Sequence, residues 1–414
     1  MIKSYWKPQG RSSALMALAA ALSLLAVGSV ELFPSPQSLS DQNEMRLAAK
    51  KANEAFQVIK SERLKRGIEI DPVTDPAQSG MLGELISPVT SNHGVLPAKQ
   101  ATVNPNFAAV VVEMLKQAGL KPGDTVAVGF SGSFPALNIS VIAALETLDV
   151  KPLIISSASG SQWGANHPDF LWLDMEAALK EAGVISTRSI AASLGGVDDR
   201  GVGMPDQGIE LLRAAVDRNE LFFIEPKDLT EAIDERMRLY REHAQGDAIK
   251  AYLNVGGGTA SVGTHEGKAQ FEPGFNRHPP VGIDLVDSVM ARFAAEDVPV
   301  IHMVQVADLA ARYGLPLQVT AMPKVGEGGV YSPQKYSRSL AAGGLLIILL
   351  VLSLPTVLDG SIRHNPDAAR DARLSRPSNG RTPRITRVFH QPMESDRHDR
   401  GKHAPSQIDE EPVL

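Results

Sequence analysis

The sequence predicts an α/β protein with a mainly parallel sheet and helices on both faces, exported between two transmembrane helices. From Asn104 onward, short apolar runs alternate with helical patterns. Parallel strands need long crossover connections and become buried on both faces, so this alternation is typical of a parallel sheet. Two uncharged apolar stretches, residues 12–30 and 339–358, enclose the alternating region.

Two helices are predicted before the sheet. Residues 41–66 form an amphipathic pattern with a start signal at Asp41 and a stop at Gly67. Its apolar face carries Met45, Ala48, Ala52, Ala55, Phe56 and Ile59. Such a helix packs on the following domain as a stalk or binds a partner helix. The second helix begins at Asn104 and ends at Gly119.

The alternating region supplies the elements of the sheet. The predicted strands cover residues 125–129, 153–156, 187–192, 221–224, 249–255, 299–304 and 316–321. The predicted helices between them cover residues 135–148, 169–182, 206–218, 228–244, 283–296 and 305–313. Short strands separated by helices indicate repeated parallel crossovers.

Each apolar stretch is long enough to cross a bilayer, because roughly 20 residues at 1.5 Å match a hydrocarbon core of about 30 Å. Basic residues lie outside both stretches, at Lys3, Lys7 and Arg11 and then from Arg363 onward. Cationic flanks stay in the cytoplasm, so both termini are predicted inside and the middle outside. A cleaved signal peptide is the alternative for the first stretch, and a buried helix for the second.

We therefore predict a membrane protein with its main domain on the outer side of the bilayer, and with membrane lipid as a partner. Its parts are a cytoplasmic N terminus (1–11), transmembrane helix 1 (12–33), a linker and juxtamembrane helix (34–66), an extracytoplasmic α/β domain (67–337), transmembrane helix 2 (338–358) and a disordered cytoplasmic tail (359–414).

Composition excludes several classes of function. The chain has no cysteine, so disulfides, thiolate metal sites and cysteine nucleophiles are excluded. The formal net charge of the whole chain is −6. Residues 1–11 carry +3 and residues 359–414 carry +1, so residues 12–358 carry −10. An acidic exported part lacks the basic surface of a nucleic-acid binder, so no nucleic-acid partner is predicted.

Three loops rich in Ser and Gly follow predicted strands, at residues 129–138, 156–166 and 254–261. Ligands of open parallel sheets bind beyond the carboxyl ends of the strands. Glycines and free amides at helix N-termini suit a carboxylate or phosphate there, although the same residues also form ordinary turns and caps. The candidate ligand-binding residues are Ser131, Gly132, Ser133, Asn138, Ser157, Trp163, Asn166, Asn254, Gly256, Gly257 and Gly258.

Ser131 is also a candidate catalytic nucleophile, because it lies at a predicted strand-to-helix turn. The turn departs from the Gly-x-Ser-x-Gly elbow at Ser133. His167 is the candidate base, and Asp169 or Asp174 is the candidate group that orients it. Hydrolysis is therefore kept as an alternative to binding.

No metal and no cofactor are predicted. The spacing of His167, Asp169 and Asp174 matches no metal-ligand motif. The chain has no Walker-type loop, and the three glycines at 256–258 do not form Gly-x-Gly-x-x-Gly. Use of ATP or a dinucleotide is therefore disfavoured.

Several long strings in this chain resemble the bacterial poly-γ-glutamate system protein family, from about residue 5 to residue 355. The strings are residues 129–138 (GFSGSFPALN), 161–166 (SQWGAN) with 168–170 (PDF), 192–196 (ASLGG) and 251–258 (AYLNVGGG). The resemblance implies an accessory membrane protein of poly-γ-glutamate synthesis or export. Its implied partners are membrane components of the poly-γ-glutamate synthase and the glutamate polymer itself. The Arg-rich tail departs from the family pattern.

The resemblance implies no catalytic residues, so three functions stay open. The first is an accessory protein whose loops bind glutamyl carboxylates. The second is an extracytoplasmic serine hydrolase or amidase that trims the polymer. The third is a membrane protein that senses a small acidic solute.

Overall fold

The computed structural model describes residues 13–33, 39–331 and 336–363. Residues 26–342 form one compact unit, and residues 13–25 with 343–363 belong to another. The sheet and the candidate site both lie in the larger unit. The predictions for residues 1–11 and for the tail beyond 363 lie outside the described residues.

The helices and strands follow one another in the alternation that the sequence predicts. The α-helices are α1 Ser13–Leu32, α2 Leu39–Lys65, α3 Leu96–Thr102, α4 Phe107–Gln117, α5 Pro135–Thr147, α6 Trp172–Glu181, α7 Asp206–Arg218, α8 Leu229–His243, α9 Thr259–Val262, α10 His265–Gln270, α11 Val289–Ala295, α12 Val306–Arg312 and α13 Arg338–Arg363. The strands are β1 Thr125–Ser131, β2 Lys151–Ser157, β3 Asn166–His167, β4 Phe170–Leu171, β5 Ala191–Ser193, β6 Phe222–Ile224, β7 Ile249–Val255, β8 Gly274–Asn276 and β9 Val300–Met303. Short 3₁₀ helices cover Ile283–Leu285 and Gly329–Tyr331.

A seven-stranded sheet in the order β6-β5-β2-β1-β7-β9-β8 forms the centre of the larger unit. The pairs from β6 to β9 are parallel, and β8 alone in this sheet pairs antiparallel, along β9. β1 and β2 run in register along their whole length, with Thr125 opposite Lys151 and Ser131 opposite Ser157. The mainly parallel α/β fold is confirmed.

The central strand β1 is buried on both faces, because its alternate side chains enter two different hydrophobic clusters. Val126, Val128 and Phe130 pack into the larger cluster, which includes residues of α2, α4 and α5. Ala127 points the other way, into a cluster that includes residues of α8 and α11. Tyr240 of α8 donates a hydrogen bond to the carbonyl oxygen of Val128 at 2.8 Å, which fixes the second layer on the sheet.

The structure differs from the sequence-based prediction at one edge of the sheet. Residues 316–321 form bends and irregular backbone, so the strand predicted there is wrong. The place beside β9 is taken by β8 of residues 274–276, for which no strand was predicted. Pro316 also lacks the backbone N–H that a paired strand would use. Because β8 occupies the edge of β9, residues 316–321 have no strand to pair with and stay outside the sheet.

One helix among the described residues is long and apolar enough to cross a membrane, the part of α1 from Ala14 to Leu32. A signal sequence near the N-terminus has the same length and composition. The apolar part of α13, Arg338–Ser353, is shorter than such a span. The predicted two-span topology is therefore not confirmed, and the N-terminal apolar helix is what the described residues support.

Candidate functional site

The sheet has a topological switch point between β1 and β7. The chain runs outward from β1 through β2, β5 and β6 on one side, and from β7 to β9 on the other. In open α/β sheets, ligands bind beyond the carboxyl ends of the strands where this reversal occurs. We call the region where the loops that follow β1, β2, β5 and β7 meet the switch-point crevice.

The turn after β1 is organised by its own polar side chains. The backbone N–H of Ser133 donates to Ser131 Oγ at 3.2 Å, and the side-chain amide of Asn138 donates to the Ser131 carbonyl oxygen at 3.0 Å. Asn138 is fully buried, and its Oδ1 has no hydrogen-bond partner among the described residues. The turn therefore holds Ser131 at the carboxyl end of the central strand.

Glycines let the loops approach one another more closely than any other residue would. Gly256 has φ +89°, and a Cβ there would lie 2.9 Å from the Cβ of Ser131. A Cβ on Gly132 would lie 2.6 Å from the carbonyl oxygen of Ser159, and one on Gly195 would lie 2.6 Å from Ser157 Cβ. Contacts this short are sterically forbidden, so glycine is required at the meeting point of all four loops.

The other two glycines of the β7 loop also face the crevice. A Cβ on Gly258 would lie 3.9 Å from Ser157 Oγ, and one on Gly257 would lie 3.6 Å from Lys268 Nζ. Lys268 of α10 is half-buried and forms no ion pair in the described part of the chain. A lysine without an anionic partner among the described residues therefore lies at the crevice. Lys268 was not a sequence candidate, because it reaches the loop from a short later helix.

Asn254 and His302 form the floor on the β7 side. Their backbones are paired in register, and Asn254 Nδ2 lies 2.6 Å from the Gly256 carbonyl oxygen and 3.0 Å from His302 Nδ1. His302 is fully buried, and burial with the nearby Lys268 charge lowers its pKa to about 3. Because Nδ1 accepts from Asn254, the proton of the neutral ring lies on Nε2, which has no partner among the described residues.

The loop after β5 is anchored by a buried ion pair. Arg236 of α8 contacts Asp199 at 2.7 Å, and the side chains of both residues are 3% exposed. Arg236 also donates to Ser193 Oγ at 2.7 Å, and Ser193 donates to Asp199 at 2.7 Å. This network fixes the position of Gly195 and Gly196 at the crevice.

A buried lysine lies beneath the loops that follow β1 and β2. Lys99 of α3 is 2% exposed, and its Nζ contacts the carbonyl oxygen of Ser133 and lies 2.8 Å from Ser161 Oγ. The ammonium group lies 3.8 Å from the centre of the Phe134 ring. Burial lowers the pKa of Lys99 to about 7. Neither Lys99 nor Ser161 was a sequence candidate, since a single lysine in a short helix carries no pattern.

Two of the predicted ligand-binding residues serve to hold loops together. Asn166 is fully buried and exchanges hydrogen bonds with both backbone groups of Glu84, at 2.8 and 2.9 Å. Trp163 has φ +57°, and its backbone N–H donates to the Glu84 carbonyl oxygen at 2.8 Å. Both residues thus attach the segment 83–94 to the loop after β2.

The candidate base His167 lies in different surroundings from Ser131. Its Nε2 is 3.6 Å from the Glu84 carboxylate, and the backbone N–H of Asp169 lies 3.3 Å from its Nδ1. No hydrogen bond joins His167 or Asp169 to Ser131 in the residues that the structure describes. A search of these residues for three or more clustered metal ligands found none.

The fold defines the class of protein only as a doubly wound α/β protein whose loops meet at a topological switch point. Comparisons with protein-family models, curated proteins and solved structures found no match to this chain.

Proposed function

We propose that this protein is an accessory membrane protein of poly-γ-glutamate synthesis or export, and that its α/β domain binds glutamyl carboxylates in the switch-point crevice. The observation that carries the binding proposal is Lys268, which lies beside the Gly256–Gly258 turn and has no ion-pair partner among the residues that the structure describes. The resemblance of the loop sequences to the poly-γ-glutamate system family supports the choice of polymer.

The crevice offers a carboxylate two kinds of favourable contact. Helix α5 begins at Pro135, next to the β1 turn, and its first amides and dipole favour an anion. Lys268 adds a full positive charge on the opposite side, beside Gly257. A glutamyl carboxylate of the polymer that binds between the N-terminus of α5 and Lys268 is stabilised by both groups.

The charge of the domain sets the strength of this binding. Residues 12–358 carry −10, so a polyanion is repelled at long range and attracted at the crevice alone. Weak local contact of this kind suits a protein that passes a polymer on. A protein that stores the polymer would need a basic surface.

The proposed position in the membrane is based on the N-terminal apolar helix α1. In our proposal, α1 anchors the protein in the bacterial inner membrane, α13 provides a second span, both termini are cytoplasmic, and the α/β domain faces outward. Support comes from the length of α1 and the cationic flanks in the sequence. The membrane components of the synthase are then the natural partners. A reporter enzyme fused near residue 200 that is active only on the cytosolic side would overturn this placement.

The binding proposal is tested with a γ-linked glutamate oligomer and the full-length protein in detergent, by isothermal titration calorimetry. Lys268→Met is expected to weaken binding at least tenfold, and Lys268→Arg to retain most of it. Lys121→Met is the matched control, because Lys121 is exposed in the turn before β1, at the opposite edge of the sheet. Equal affinities for wild type and Lys268→Met would refute a role of the crevice.

The same titration separates the solute-sensing alternative. Free glutamate would bind as tightly as the oligomer if the protein sensed a small solute. In cells, deletion of the gene is expected to abolish the polymer if the protein is an accessory component. Polymer of normal amount but greater length would mean that the protein trims the polymer and is not needed to make or export it.

A further inference from the structure

A serine and a lysine meet beside the switch-point crevice in the arrangement of a nucleophile and its base. Ser161 lies in the loop after β2, and Lys99 projects from α3; their Oγ and Nζ atoms are 2.8 Å apart. Ser133 of the crevice touches both residues, since its carbonyl oxygen accepts from Lys99 and its Oγ accepts from the Ser161 N–H at 3.0 Å. The pair therefore lies directly against the proposed ligand site.

Lys99 is placed in surroundings that favour its neutral form. It forms no ion pair with any carboxylate in the part of the chain that the structure describes. Burial lowers its pKa to about 7. The free amine at Nζ is therefore accessible near neutral pH, where it can accept a proton.

Ser161 is held rigidly with its hydroxyl toward this amine. Its carbonyl oxygen accepts from Gly164 at 2.8 Å, and the next residue, Gln162, donates to Asn92 at 3.0 Å. Ser161 is 8% exposed and Lys99 2%, so the contact between the hydroxyl and the amine is buried. A hydroxyl in direct contact with an amine that can lose its proton is the pair that a base-activated serine requires.

We propose that Ser161 is a nucleophile and Lys99 its general base, and that together they cleave an amide bond whose acyl part carries a carboxylate. The choice of a γ-glutamyl amide rests on the proposed function, whereas the serine–lysine pair rests on its own geometry. The Ser131 alternative is weaker in this respect, because its Oγ accepts from the Ser133 N–H and has no basic side chain as partner among the described residues.

The chemistry uses water as the sole co-reactant. Neutral Lys99 takes the Ser161 proton as Oγ attacks the amide carbonyl carbon. The C–N bond then breaks, the amine leaves with the proton from Lys99, and Ser161 carries the acyl group as an ester. Lys99 next takes a proton from water, the hydroxide oxygen attacks the ester, and the carboxylic acid departs as Ser161 regains its proton. The net reaction is hydrolysis of the amide.

A fluorophosphonate probe tests the pair independently of the polymer. Full-length protein in detergent is treated with the probe between pH 6 and 9, and the labelled residue is identified by peptide mass spectrometry. Label is expected on Ser161, with a rate that rises with a midpoint near pH 7, and none in Ser161→Ala. Lys99→Met and Lys99→Arg are both expected to lower the rate at least 100-fold, because arginine keeps the charge and cannot act as a base.

Ser186→Ala, which removes an exposed hydroxyl bonded to Glu146, is the control and should label like wild type. Wild-type protein that stays unlabelled over the whole pH range, or that is labelled at Ser131, would overturn the proposal without reference to any variant. If Ser161 is labelled and a γ-linked oligomer is not cleaved, the pair stands and the substrate assignment fails.

Discussion

Lys99 should make the stability of this protein depend on pH in a specific direction. Burial lowers its pKa from 10.5 to about 7. Between these two values the unfolded chain holds the proton and the folded protein has released it, so the unfolded state binds more protons. Stability must therefore rise with pH from about 7 to about 10.5.

The size of the effect follows from the same two values. Each pH unit in this window is worth about 1.4 kcal/mol, so the whole window corresponds to about 5 kcal/mol as an upper estimate. Replacement of Lys99 by methionine removes the titrating group and keeps most of the apolar contact. Lys99→Met is therefore expected to be the more stable protein at pH 7 and to lose this advantage toward pH 10.5.

Urea unfolding of both proteins in the same detergent at several pH values measures the difference. The comparison cancels the other groups that titrate in this window, and Lys121→Met controls for the loss of one positive charge. Parallel stability curves for wild type and Lys99→Met would refute the argument, because they would mean that Lys99 has the same pKa in both states.

Three further predictions concern the loops and the core. Gly256→Ala should lower the free energy of unfolding by about 1 to 3 kcal/mol, and Gly119→Ala should lower it less. Both glycines have a positive φ, but an added Cβ meets a neighbour only at Gly256. Equal urea midpoints for the two variants would contradict this. Asp199→Asn should lower the free energy of unfolding by about 3 to 5 kcal/mol, because Arg236 is then buried without a counter-charge. The double variant with Arg236→Met should recover part of this loss in urea unfolding. Burial raises the pKa of Glu176 from 4.5 to about 7, so the folded state binds more protons in this window and stability should fall by about 3 kcal/mol as pH rises. Glu176→Gln should remove that fall in pH-dependent urea unfolding.

The fold was largely predictable because its signals are local. The helix at residues 206–218 and the strand at residues 249–255 have the predicted bounds, since periodicity and turn residues define both. The strand predicted at 316–321 failed because pairing depends on a free edge, which β8 occupies. Sheet order is a long-range property that periodicity does not encode.

The candidate site was predictable in part, for the same reason. Glycine and serine in the loops at 129–138 and 254–261 mark the carboxyl ends of β1 and β7, where the structure brings them together. Lys99 reaches these loops from a helix distant in sequence, and Lys268 from the short helix α10 that follows the β7 loop. Their roles depend on burial and on missing counter-charges, which only three-dimensional packing creates.

The contact between Lys99 and Ser161 also has a consequence for biogenesis. It joins residues that are 62 positions apart and depends on β1 and β2 having already paired. A chain that is still being synthesised cannot bring the two groups together until both strands are present. In the proposed hydrolase, the reactivity of the serine would therefore arise only after these strands have folded together.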